Sequence, residues 1–96
     1  ELYEEGSQIR RSIKSVKSNI VEGYGRRRYK QDYIRFLDLS YVSLLETINY
    51  LETLQETGSL TDNATFTAIY EKLEQLSKAL YAFNRSVQQH HDTDRA

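Results

Sequence analysis

No proline, cysteine, methionine or tryptophan occurs anywhere in these 96 residues, and glycine occurs only 4 times. Without cysteine, the chain cannot be a disulfide scaffold, bind zinc through thiolates or attack a substrate with a thiol. Without proline, the periodic segments run on as long helices. No apolar run approaches the roughly 20 residues that span a bilayer, and no secretory signal is visible. The expected setting is therefore the cytoplasm, with no membrane partner. Position 1 is Glu rather than Met, so a trimmed or partial chain is expected. What is present is 28% charged and 39% apolar residues in 11.3 kDa, enough for one small domain.

The net charge of −1 is the sum of three unlike regions. Residues 1–9 carry Glu1, Glu4 and Glu5 and no base. Residues 10–35 carry nine bases against Glu22 and Asp32, a net +7, and residues 36–96 carry a net −5. Such asymmetry fits either an anionic partner or a protomer whose one face meets the other face of its neighbour.

Three helices are legible, over about 8–25, 30–56 and 62–88, in one domain spanning 1–89, with a frayed tail at 90–96. Ile9, Ile13, Val16, Ile20, Gly23 and Tyr24 recur at helical spacing and form the first core stripe. Ser7 is the expected N-cap. Gly23, inside the stripe, lets a facing helix come close, and Glu22 and Arg26 form an i,i+4 ion pair. The second helix carries Tyr33, Leu37, Tyr41, Leu44, Ile48 and Leu51 as its main stripe. A second stripe, Phe36, Ser40, Ser43, Thr47, Tyr50 and Leu54, is read as an oligomer interface. Ile34 and Leu45 widen the main stripe, and Leu39 and Val42 lie toward the back. A helix apolar over most of its circumference is buried from more than one direction, by another helix or another subunit. Gly58-Ser59 ends it, with Gly58 in the left-handed position. Thr61 or Asp62 caps the third helix, whose stripe is Phe66, Ile69, Leu73, Leu76, Leu80, Phe83 and Val87. Short loops make successive helices antiparallel, so the fold class is an all-α, up-and-down helical bundle.

The run Ser15-Val16-Lys17-Ser18-Asn19-Ile20-Val21-Glu22-Gly23-Tyr24-Gly25-Arg26 resembles the S-I-P-S-N-I-A-E-G-x-G-R pattern of the bacterial 23S rRNA intervening-sequence proteins. Gln8-Ile9-Arg10-Arg11 before it, Tyr33-Ile34-Arg35-Phe36-Leu37 after it, and Ser43-Leu44-Leu45-Glu46 further on are similar to the family's flanking stretches. Lys17, Val21 and Val42 depart from the usual proline, alanine and glycine, and both valines enlarge positions at which family helices meet closely. Family members begin with an additional helix before the position of Glu1. The resemblance therefore implies a four-helix bundle of which three helices are here, and homopentameric rings, with no activity to carry over. The accessory protein of diversity-generating retroelements is a more distant likeness. It forms a comparable barrel, binds nucleic acid and contacts a reverse transcriptase.

The leading functional feature is basic. Arg26, Arg27, Arg28 and Lys30, with Arg10, Arg11, Lys14 and Lys17, supply the clustered cations that phosphate binding needs, and arginine binds phosphate in bidentate fashion. Tyr24 and Tyr29 offer rings to unpaired bases, although Tyr24 belongs to the core stripe. The competing reading is a solvated helix end whose arginines neutralise Glu46, Glu52 or Glu56 on a neighbour. Asn19 and Glu22 lack the nucleophile or base that would complete a catalytic set, so helix pairing explains them. Adjacent His90 and His91 do not share a helical face, and no metal or other cofactor is expected. Gly23-Tyr24-Gly25 has neither the third glycine nor the preceding strand of a dinucleotide fingerprint. Asn63-Ala64-Thr65 and Asn84-Arg85-Ser86 match the glycosylation sequon but lack a secretory context.

Two functions follow from this reading. One is a non-enzymatic homo-oligomer that holds RNA or DNA backbone. The other is a ring-shaped scaffold or adaptor for a protein partner, with the basic patch used in assembly.

Overall fold

The computed structural model describes the backbone of residues 2–58 and 60–95 and the side chains of residues 6–58 and 60–90. Helix α1 spans Leu2–Gly25, α2 spans Lys30–Glu56 and α3 spans Asn63–Arg95. Two boundaries differ from expectation. Ser7 lies inside α1 rather than capping it, because the helix starts at Leu2. The segment expected to fray continues α3 as far as Arg95, since no glycine or proline follows Gly58 to break it. Gly58 turns the chain with φ +80, in the left-handed region. Asp62 caps α3: its carboxylate accepts bonds from the Ala64 and Thr65 amides at 3.1 and 3.3 Å and from the Thr65 hydroxyl at 2.7 Å.

Helix α2 is the centre of the molecule. Both α1 and α3 pack against it, and among the described residues no Cα of α1 comes within 8 Å of a Cα of α3. The contacts run antiparallel. Ser12, Ser15, Val16 and Gly23 of α1 meet Thr47, Ser43, Ser40 and Phe36 of α2, one number rising as the other falls. Likewise, Asp38 and Tyr41 of α2 meet Asn84 and Tyr81 of α3.

The two seams differ in chemistry. Between α1 and α2 the buried residues are small and hydroxylated. The Ser40 hydroxyl donates to the Val16 carbonyl at 2.7 Å. Thr47 Oγ1 lies 2.7 Å from Ser12 Oγ and 2.9 Å from the Ser43 carbonyl, and the Ser15 and Ser43 hydroxyls are 2.9 Å apart. Small side chains let the helices close, and each buried hydroxyl finds a partner, avoiding the ~1–3 kcal/mol that an unsatisfied group costs. Gly23 completes the approach, because a Cβ there would stand 3.1 Å from Phe36 Cβ. The α2–α3 seam is aliphatic and aromatic. Tyr33, Leu37, Leu44, Leu80 and Val87 form the core with Val16 of α1, and the Tyr33 ring meets Phe83 edge-on at 6.1 Å.

The layer is flat, 52 × 21 × 13 Å. The core stripes of α1 and α3 are consequently only half used. Ile13 and Tyr24 remain 47% and 57% exposed, and Ile69, Leu76 and Phe83 remain 42–49% exposed. Between α1 and α3, over Tyr33 and Leu37, lies an apolar trough of about 480 Å³ walled by Ile20, Val21 and Tyr24 on one side and Leu76, Ala79 and Phe83 on the other.

Candidate nucleic-acid interface

The basic residues fall into two groups. Arg10, Lys14 and Lys17 share the exposed outer flank of α1. Arg11 points elsewhere, lining a cleft between α1 and α2 with Gln8, Glu46 and Tyr50. The second group occupies the turn between α1 and α2. Backbone bonds close this turn: Arg26 N–H donates to the Glu22 and Gly23 carbonyls, Arg27 N–H to Tyr24 and Tyr29 N–H to the Arg26 carbonyl at 2.9 Å. Arg26, Arg27, Arg28 and Tyr29 of this short, hydrogen-bonded turn are all exposed.

Aromatic rings and carboxylates organise these cations. Arg26 Nε donates to Glu22 at 2.8 Å, and its Nη1 reaches Asp32 at 3.4 Å. The Glu22 hydrogen bond and charge, then Asp32, hold its pKa above the ordinary value. The Arg27 guanidinium lies 4.1 Å over the Tyr24 ring and donates to the Tyr24 carbonyl at 3.0 Å. Phe36 carries two guanidinium groups, Arg26 at 5.2 Å and Arg35 at 4.7 Å from its ring centre. Cation–π contacts of this kind hold charge at an exposed surface at low cost. The contact of Arg26 with Phe36 has no signal in the sequence, because it depends on how the turn folds back.

Acidic charge gathers at the other end of α2. Glu74 and Glu52 push the Tyr70 phenol above its ordinary pKa there. From Lys30 to Glu52 along α2 is about 33 Å, well beyond a Debye length at physiological salt. The basic turn is thus not neutralised by Glu52 or Glu56 of its own chain.

The stripe read as an oligomer interface is placed differently by the structure. Ser40, Ser43 and Thr47 are the α1–α2 seam, at 0–8% exposure, and Leu54 is buried as well. Phe36 lies beneath Arg26 and Arg35, and Tyr50 lines the Arg11 cleft. The apolar side of α2 that stays open is instead Leu39, Val42 and Leu45, 43–52% exposed. Val21 and Val42, read as filling close helix contacts, are 62% and 52% exposed, so neither obstructs a seam of this chain.

The remaining polar groups have structural partners. Asn19 donates to the Ser15 carbonyl at 2.8 Å, Glu22 pairs with Arg26, and buried Asn84 donates to Asp38 at 2.6 Å. His90 is exposed, and the His91 side chain lies outside the described residues. Among the described residues, no three His, Cys, Asp or Glu side chains gather as a metal site. No helix of the described residues is long and apolar enough to cross a membrane.

The model of the 23S rRNA-intervening sequence protein family matches residues 1–82. The chain belongs to that family. No curated protein and no solved structure matches it. The Asn19-Ile20-Val21-Glu22-Gly23 run has structural roles in this chain. Asn19 returns to its own helix, Ile20 walls the trough, Glu22 holds Arg26, and Gly23 admits Phe36.

Proposed function

We propose that this protein is a non-enzymatic homo-oligomer that holds nucleic-acid backbone on its α1–α2 turn and the adjoining flank of α1. The observation that carries this reading is the concentration of Arg26, Arg27, Arg28 and Lys30 in one closed turn, remote from the acidic end of α2. Several cations within reach of one backbone supply sequence-independent affinity. One turn binds weakly, and repeating it around an oligomer multiplies the affinity.

The finer architecture in this reading is a four-helix bundle with a further helix seated in the trough between α1 and α3. Copies meet through Leu39, Val42 and Leu45, and the pentamer is the number that the family resemblance implies. The setting is the cytoplasm. The second reading, a scaffold for a protein partner, is favoured by the charge polarity of α2. A basic turn and an acidic far end suit head-to-tail contact between copies, with the basic turn used in assembly.

Light scattering after gel filtration, with and without a mixed-sequence RNA at low salt, tests the choice. Backbone binding predicts an oligomer whose mass rises with RNA and no longer rises when Arg27, Arg28 and Lys30 become alanine. With about four phosphate contacts, affinity falls about 50-fold between 50 and 200 mM salt. An oligomer indifferent to RNA, whose mass drops on charge reversal in the turn, refutes backbone binding and leaves the scaffold.

A further inference from the structure

We infer that the nucleic acid held at the α1–α2 turn is single-stranded, with Tyr29 as the platform on which an unpaired base stacks. This rests on the backbone-binding reading and adds to it what kind of strand is bound.

Tyr29 occupies the N-cap position of α2, yet its side chain makes no capping hydrogen bond. Its backbone meets the needs of the turn by donating to the Arg26 carbonyl, so the ring is not required for closure. A tyrosine is a poor residue to leave 63% exposed in a cap position that serine, threonine, aspartate or asparagine fills better. Arg28 and Lys30 flank it in sequence, and Arg27, two residues before it, holds its guanidinium 4.1 Å over the Tyr24 ring. Guanidinium planes and tyrosine rings both accept stacked bases.

A duplex cannot use these surfaces, because its base faces are already stacked on one another. Its grooves are read by a helix or a β-ribbon that enters them, whereas this site is a turn between two antiparallel helices. The electrostatic term taken alone favours the duplex, which has the higher charge density. A preference for the single strand therefore reports the rings and not the cations.

The test is fluorescence anisotropy at 50 mM salt with a labelled 20-nucleotide mixed-sequence strand, the same strand annealed to its complement, and three proteins: the unaltered chain, Tyr29→Ala and Tyr29→Phe. The expected result is tighter binding of the single strand. Tyr29→Ala should weaken single-strand binding about 5-fold or more and leave duplex binding unchanged, and Tyr29→Phe should retain both. Far-UV circular dichroism confirms that each variant keeps its helices. Equal or tighter duplex binding, with Tyr29→Ala without effect, overturns the inference while backbone binding stands. Binding of neither strand overturns both together.

Discussion

Replacing Gly23 and Gly25 by alanine, one at a time, should move stability in opposite directions, although the two positions are neighbours at the end of α1. At Gly25 a new Cβ meets nothing within 4 Å, and the backbone there is not in the left-handed region. Alanine then gains helix propensity and lowers the entropy of the unfolded chain, a stabilisation of about 0.5 kcal/mol at a helix end. At Gly23 the new Cβ stands 3.1 Å from Phe36 Cβ and 3.6 Å from the Tyr33 carbonyl oxygen. Neither atom can rotate away, since one is fixed to the α2 backbone and the other belongs to it. Relief requires α1 and α2 to separate, which strains the hydroxyl seam from Ser40 to Thr47. Overpacking of this kind costs about 1–3 kcal/mol against a propensity gain of about 1 kcal/mol. The two variants should therefore differ by about 1–2 kcal/mol, with Gly23→Val lower still. Urea unfolding followed by circular dichroism, at one protomer concentration, resolves this. With a slope of about 1.5 kcal/mol per M, the midpoints separate by about 1 M. Equal stabilisation by alanine at both positions would mean that the helices do not close at Gly23.

Thr47→Val keeps the shape of the side chain but removes the hydroxyl between Ser12 and Ser43, and should cost about 1–2 kcal/mol by urea unfolding. Asp62→Ala should raise amide exchange at Ala64 and Thr65, the two residues whose N–H groups it accepts. Hydrogen bonds from Thr65 hold the Asp62 carboxyl below its ordinary pKa. Its stabilising effect is thus fully present above the unfolded-state value of about 3.9 and is lost as pH falls through the lower folded value, which amide exchange across pH 2–6 would register. Arg26→Ala should weaken nucleic-acid binding less than Arg28→Ala, because Glu22 and Asp32 already neutralise Arg26; equal losses by anisotropy would refute this. Val42→Asp should lower the solution mass seen by light scattering if copies meet through the open side of α2, and an unchanged mass would exclude that surface.

Much of the molecule is written locally. A period of 3.6 residues, the absence of proline, Gly58 and the Asp62 cap specify where α2 ends and where α3 starts, because each acts within one helical turn. The Glu22–Arg26 pair and the close approach at Gly23 are local in the same sense, one by i,i+4 spacing and the other by a missing side chain on an apolar stripe. Helix ends without a strong signal were less legible. Ser7 after Gly6 resembles a cap, but α1 runs through both and back to Leu2.

What each face meets belongs to the tertiary structure. Ser40, Ser43 and Thr47 look from sequence like a stripe awaiting a partner molecule. Their partners are Ser12, Ser15 and Val16, 24 to 35 residues earlier in the chain, and periodicity carries no information over that distance. Ile13, Tyr24, Ile69, Leu76 and Phe83 have the spacing of a closed core, yet they stay open because α1 and α3 settle on α2 without reaching each other. Charge separates in the same way. The sequence alone determined that residues 10–35 are net basic and residues 36–96 net acidic. Only the fold decided that Arg26 also reaches Asp32 and lies over Phe36, since those two contacts require the chain to turn back on itself.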